Sequence, residues 1–277
     1  MSQVDLHIHT TASDGKFSPL EIVCKAREAG LTYISICDHD SIEGVRPARE
    51  AASHYPGLTV ISGVEINTDI AAGELHILGY LFDLSSDELK TTLEGLRNSR
   101  IERAKKMIHK LRKLGIDIDF ERVQELAGTG SIGRPHIAQA MLEKGYINSF
   151  KDAFLRYISR GCPAYVERDK ITPAEATRLI LRANGLPVMA HPLTFENPEN
   201  LICECKAAGL VGLEVYYNSY TPEQIRDLLR IASKYGLIST GGSDFHGLDS
   251  NNELPLGAVD VPLEAAVNLI ALAHHEG

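Results

Sequence analysis

The chain repeats one pattern along most of its length. A short run rich in β-formers ends on histidine or a carboxylate, and an amphipathic helical stretch follows. Val4-Asp5-Leu6-His7-Ile8 runs into His9 and the Ser13-Asp14-Gly15 turn. Tyr33–Cys37 ends in Asp38-His39-Asp40, Thr59–Val64 ends at Glu65, and Leu186–Ala190 ends in His191-Pro192. Val211–Tyr217 carries Glu214, and Leu237–Gly242 delivers Ser243-Asp244-Phe245-His246. Pro19–Gly30, with Leu20, Ile22, Val23 and Ala26 inward, Gly44–Tyr55, Pro173–Asn184, Pro222–Tyr235 and Leu263–Ala273 read as the helices. Strands that alternate with helices require a largely parallel sheet covered on both faces, and their C-terminal ends then gather at one rim. The expected fold is an α/β barrel of seven strands.

One link departs from this plan. The gap after Glu65 is too short for a parallel crossover, so Glu74-Leu75-His76-Ile77-Leu78-Gly79-Tyr80 is expected to return antiparallel, with His76 beside Glu65. From Ser85 to Gly161 the texture is helical throughout. Residues 1–84 and 162–277 are therefore expected to form the barrel, and 85–161 an all-α insertion. A long basic helix is predicted over Leu93–Leu114, its Arg100, Arg103, Lys105, Lys106 and Lys110 read as a solvated face. Gly133-Arg134-Pro135-His136 combines a loop glycine, a proline suited to a first helical turn and two groups able to contact phosphate.

Composition narrows the function. A net charge of −9 argues against a protein that coats duplex nucleic acid, while a small phosphorylated substrate remains compatible. The five cysteines are odd in number and lack paired zinc spacing, as expected of reduced thiols. No apolar run reaches membrane-spanning length and no secretion signal is legible, so the expected setting is cytoplasmic.

Six of the eleven histidines fall at strand ends, together with Asp14, Glu65 and Asp244. His7, His9, Asp14, His39, Glu65, His76, His191, Asp244 and His246 are too many ligands for one ion. Imidazole and carboxylate without thiolate suit Mn²⁺ first, with Fe²⁺ or Zn²⁺ as alternatives. Two or three such ions, with Glu65 as the bridging carboxylate, suit phosphate-ester hydrolysis by metal-activated hydroxide. Asp38, Asp40 and Glu214 are read as supports for the ligands.

Asp5-Leu6-His7-Ile8-His9, Ser13-Asp14-Gly15, Cys37-Asp38-His39-Asp40, Gly63-Val64-Glu65, Leu75-His76-Ile77-Leu78-Gly79-Tyr80, Ala190-His191-Pro192 and Gly242-Ser243-Asp244-Phe245-His246 stand in the order of the PHP (polymerase and histidinol phosphatase) superfamily, which the chain resembles. The insertion resembles its TrpH-like branch of 3′,5′-nucleoside bisphosphate phosphatases and 5′→3′ exoribonucleases. The resemblance implies a distorted (β/α)₇ barrel with a trinuclear site. His7, His9, Glu65 and Asp244 would hold the first ion; Glu65, His76 and His191 the second; Asp14, His39 and His246 the third.

Glu65, His191, Asp244 and His246 would be catalytic, and Arg134, His136 and Arg160 would contact substrate. Cys162 stands where lysine is common in the family. The implied substrate is a small phosphorylated nucleotide or the 5′ end of an RNA, acted on by a chain expected to be monomeric. The alternatives are a histidinol-phosphate or other small-molecule phosphatase, and a non-catalytic polymerase-associated module.

Overall fold

Seven strands lie side by side in chain order: β1 (Val4–Ile8), β2 (Tyr33–Ile36), β3 (Thr59–Ile70), β4 (Gly73–Tyr80), β5 (Leu186–Met189), β6 (Gly212–Tyr217) and β7 (Ile238–Gly242). They are seen in a computed structural model that describes residues 2–70, 73–128, 130, 132–167, 171–195, 198–247 and 254–275. Pairing is antiparallel on both sides of β4 and parallel elsewhere. The sheet curls until β7 meets β1: the Asp244 N–H donates to the His7 carbonyl at 2.9 Å and the His9 N–H to the Phe245 carbonyl at 2.9 Å. Gly242 is required at this seam, because a Cβ there would run into the His7 backbone. The expected distorted seven-strand barrel is the observed one.

β3 does not stop at Glu65 as the sequence suggests. Its first half pairs with β2, and Gly63–Ile70 continues as one arm of a long hairpin with β4. Glu65 therefore sits in mid-strand, and side-chain alternation places Asn67 on the same face.

Helices cover the barrel. α1 (Pro19–Glu28), α7 (Pro173–Arg182) and α9 (Pro222–Tyr235) each open on a capping box followed by proline: Ser18 with Glu21, Thr172 with Glu175, Thr221 with Gln224. α2 (Val45–Ala52) stops short of the predicted Tyr55, because the chain turns at Ser53. Leu20 was expected inward but is 56% exposed, since two residues of helix carry it away from the face of Ile22. α8 (Pro198–Ala207) and α10 (Leu263–His275) complete the shell.

Between β4 and α7 the elements are helical: α3 (Asp87–Lys113), α4 (Phe120–Ala127), α5 (Arg134–Glu143) and α6 (Phe150–Ala153), the last running into a π-helical turn at Phe154–Ile158. α3 begins a turn and a half earlier than predicted, where Ser86 caps it by accepting from the Leu89 N–H. These helices bury their own cluster, centred on Met107, Leu111, Val123, Ile137 and Met141 and distinct from the clusters around the barrel. Among the described residues no helix is long and apolar enough to cross a membrane.

Candidate metal centre and arginine cleft

Alternation along β1 turns His7 and His9 to the same side, and barrel closure buries both completely. His9 Nε2 lies 3.2 Å from His7 Nε2, 3.3 Å from Glu65 Oε2 and 3.0 Å from Asp244 Oδ1. His7 Nε2 is 3.5 Å from the same glutamate oxygen and 3.4 Å from the same aspartate oxygen. Glu65 reaches further: its Oε2 is 2.8 Å from His39 Nδ1, while its Oε1 is 2.7 Å from His76 Nδ1 and 3.1 Å from His191 Nε2. Asp14 stands between His9, His39 and His246, at 3.7, 3.9 and 3.5 Å. The tight loop that carries Asp14 depends on Gly15, where a Cβ would meet the His9 carbonyl carbon at 2.6 Å.

Three groups bring all their donor atoms within 4.8 Å of one another: His7, His9, Glu65 and Asp244; His9, Asp14, His39 and His246; and His39, Glu65 and His76. The arrangement fits divalent ions. Asp14 Oδ1, His39 Nδ1, Glu65 Oε2 and His191 Nδ1 are buried yet make no hydrogen bond. His39 Nδ1 and Glu65 Oε2 lie 2.8 Å apart without forming a hydrogen bond. Buried acceptors without donors call for a cation.

Other residues hold this set in place. Glu214 accepts from His7 Nδ1 at 2.9 Å and from the His191 N–H at 2.7 Å. Asp38 takes the Thr10 N–H and the Thr10 and Ser13 hydroxyls, fixing the loop before Asp14. Tyr217 donates to Asp244 Oδ2 at 2.7 Å. Asp40, His191 and Asp244 have left-handed backbones, with φ of 50°, 26° and 54°. Conformations of this kind persist where surrounding contacts over-determine them. Burial alone would raise Glu65, but His39, His76 and His7 hold it well below the usual carboxylate range. Burial likewise opposes a charge on His9, yet Asp244 and Glu65 push it up to about 10.

The cluster opens into a cleft of about 230 Å³, with Asp14, His39, His76 and His246 on one wall and Arg100, Arg103, Arg134 and Phe154 on the other. Arg100 and Arg103 were expected on a wet helix face; both are 8% exposed and point into the cleft. They fall on the same stripe of α3 as the buried Leu93, Leu96, Ala104 and Met107, and a charge set on a buried stripe was the missed signal. Arg100 Nε donates to Asp40 Oδ2 at 2.7 Å, and its Nη2 donates to Asn67 Oδ1. Asn67, also missed, contacts His76 Nε2 at 2.7 Å, so a polar chain runs from α3 to a candidate ligand. Glu74 lies 2.9 Å from Arg134 Nη2 and 3.8 Å from Arg103 Nη2. That Arg103 nitrogen is buried without a hydrogen bond.

Arg134, at the first turn of α5, thus lines the cleft. His136 sits behind it, where its Nδ1 accepts the Gly133 N–H at 3.0 Å and closes the helix start. Arg160 is at the surface, paired with Asp69 and Glu167, and does not line the cleft. Cys162 lies against the Leu155 carbonyl, 3.4 Å away, and does not line it either.

Known proteins resemble this chain. The PHP domain family model matches residues 5–184. The chain is 35% identical over 246 residues to a 5′-3′ exoribonuclease of Haemophilus influenzae, covering 87% of this chain and 89% of that protein. It is 30% identical over 251 residues to a 3′,5′-nucleoside bisphosphate phosphatase of Chromobacterium violaceum, covering 89% and 88%. A structure from Chromobacterium violaceum, described as an amidohydrolase with bound sulfate and no metal, aligns with a TM-score of 0.88 at 28% identity over 98% of this chain and 96% of the other. Inward-facing imidazoles and carboxylates at one barrel rim, and a match running from β1 through α7, make this chain a member of the PHP domain family.

Proposed function

We propose that the chain is a metal-dependent phosphoesterase acting on a nucleotide. The first substrate is the 3′-phosphate of a 3′,5′-nucleoside bisphosphate, and the second is the end of a 5′-phosphorylated RNA. One observation carries this reading: the buried His, Asp and Glu cluster and three arginines face each other across a single cleft. Arg103 and Arg134 take no part in holding an ion, whereas a substrate with two phosphates could engage both the cluster and the arginines.

Two or three bound ions, Mn²⁺ first, would supply a nucleophile at neutral pH and offset the charge of the reacting phosphoryl group. His7, His9, Glu65 and Asp244 would hold one ion, Glu65, His76 and His191 a second, and Asp14, His39 and His246 a third. The rest falls to the protein's own groups. Arg134 and Arg103 hold the non-reacting phosphate by charge-assisted hydrogen bonds, and Arg100 keeps Asn67 turned toward His76. His136 fixes the start of the helix that presents Arg134. Arg160 meets substrate only where it extends past the cleft. His191 or His246 would assist the departure of the leaving oxygen through the ion it holds, and water would supply the proton. The barrel segments 1–84 and 162–277 carry the chemistry, and 85–161 carries recognition.

The test is phosphate release by the Mn²⁺-loaded chain from adenosine 3′,5′-bisphosphate, the 3′-monophosphate, histidinol phosphate and a 5′-phosphorylated RNA oligomer. Preference for the bisphosphate or the 5′-phosphorylated oligomer is expected. Equal turnover of all four substrates would leave no role for the arginine wall, and preference for histidinol phosphate would replace the nucleotide reading.

A further inference from the structure

Helix α3 has a second functional face. Lys106, His109, Lys110 and Lys113 recur at the spacing of one helical stripe, and all four are exposed. With Lys105 they line an open groove of about 670 Å³ whose other wall is Tyr165, Val166 and Glu167. The groove adjoins the arginine cleft. Arg103, which faces the cleft, donates its Nε to the Val166 carbonyl at 2.8 Å, and Lys110 reaches the Tyr165 carbonyl at 2.5 Å.

The acid in the groove, Glu167, is paired with Arg160 at 2.9 Å and accepts from the Tyr165 hydroxyl at 3.1 Å. Neighbouring bases on the same helix are neutralised, Lys105 by Glu102 at 2.9 Å and Arg112 by Asp117 at 3.0 Å. Lys106 and Lys113 have no carboxylate within ion-pairing distance among the described residues. A chain of net charge −9 thus keeps a cationic stripe beside its anion cleft.

We infer that this groove receives the continuing strand of a single-stranded nucleic acid whose 5′-phosphorylated end occupies the arginine cleft. The inference rests on the nucleotide reading above and adds a surface which a mononucleotide does not touch. Lys106 to Lys113 span about 10 Å of helix axis. Isolated exposed lysines hold a lone anion weakly, but a polyanion that meets several at once releases one counterion at each contact. The shared helix makes the end-holding and strand-holding surfaces one rigid element.

The test compares kcat/KM for 5′-phosphorylated oligoribonucleotides of two and eight residues, and for adenosine 3′,5′-bisphosphate, at about 50 and about 200 mM salt. Three lysine–phosphate contacts contribute a logarithmic salt slope of about −2, so the wild-type octamer should lose about sixteen-fold across that range beyond the loss of the dimer. In Lys106→Gln/Lys110→Gln/Lys113→Gln this excess disappears while the bisphosphate is hydrolysed as before. Lys110 also braces Tyr165, so Lys106→Gln/Lys113→Gln is the second variant, expected to shed about 1.4 of the slope.

The inference is overturned if the wild type treats dimer and octamer alike, or if the triple variant keeps the octamer's slope. It is also overturned if octamer and bisphosphate fall together in the double variant. Binding of a fluorescent octamer separates the two readings. A chain that hydrolyses none of these substrates, yet binds the octamer with a lysine-dependent salt slope, keeps the groove and refutes the nucleotide phosphoesterase.

Discussion

The barrel rim and the arginine wall opposite it are held in place by different means. At the rim, side chains leave strands, strand ends and the tight turns beside them, and a further contact fixes several of them: Glu214 on His7, Asn67 on His76, Tyr217 on Asp244. Three residues at or beside the rim hold left-handed backbones. Across the cleft, Arg103 and Arg134 are long side chains on helices, steadied by Glu74 from the hairpin and, for Arg103, by the Val166 carbonyl. The rim thus fixes atoms to within the tolerance that chemistry needs, whereas the wall supplies charge over a range of positions. This division suits reaction at one end of the cleft and recognition at the other.

The comparison breaks most visibly at Glu65. Removing a carboxylate shared by five histidines should cost several kcal/mol of transition-state stabilisation, about 10³-fold or more in kcat on every substrate. Steady-state rates of Glu65→Ala on the bisphosphate and on a simple aryl phosphate check this. Near-wild-type rates would remove the metal reading of the rim.

Arg134→Gln tests the wall. Loss of one charge-assisted hydrogen bond should lower kcat/KM for the bisphosphate about 10- to 100-fold, while the aryl phosphate, which has no second phosphate to be held, changes little. Equal losses on both substrates would make Arg134 part of the chemistry and erase the distinction between the two regions.

The smallest effect is thermal. Burial disfavours the charged forms of His7, His9, His191 and His246, but facing carboxylates, together with Glu214 for His7, raise all four in the metal-free chain. The stability each contributes is present below the ordinary histidine range and lost as pH rises through its folded value. Asp14, Glu65 and Asp244 are lowered, and their contribution is lost only on acidification. An ion must displace the histidine protons. Between about pH 6.5 and about pH 8.5 the metal-free Tm should therefore fall by a few degrees while the Mn²⁺-induced rise grows. Melts with and without Mn²⁺ give both slopes, and a Mn²⁺ effect that shrinks with pH would contradict the assignment.

Legibility in the sequence followed the same division. β-Strand periodicity and terminal His, Asp or Glu residues located the rim because a strand is nearly straight and its side chains alternate, so position along the chain converts directly to position in space. The antiparallel return of β4 followed from gap length alone. The wall was harder. Arg100 and Arg103 belong to a run of basic residues that reads as solvated, and only the phase of the helix, set by which side of α3 meets the barrel, separates them from Lys106 and Lys110. Asn67 and Glu74 were missed because β3 was ended at Glu65, which hid that the hairpin projects beyond the rim.

The seam between β1 and β7 has a consequence in time. His7 and His9 are made long before Asp244, yet their candidate ligand atoms belong to one group with Glu65. A nascent chain carries the two histidines while the 234 residues between His9 and Asp244 are added, without the carboxylate that completes the quartet. High-affinity capture of an ion by that group would therefore wait until β7 docks on β1, so that ion uptake would mark a late step of folding rather than its beginning.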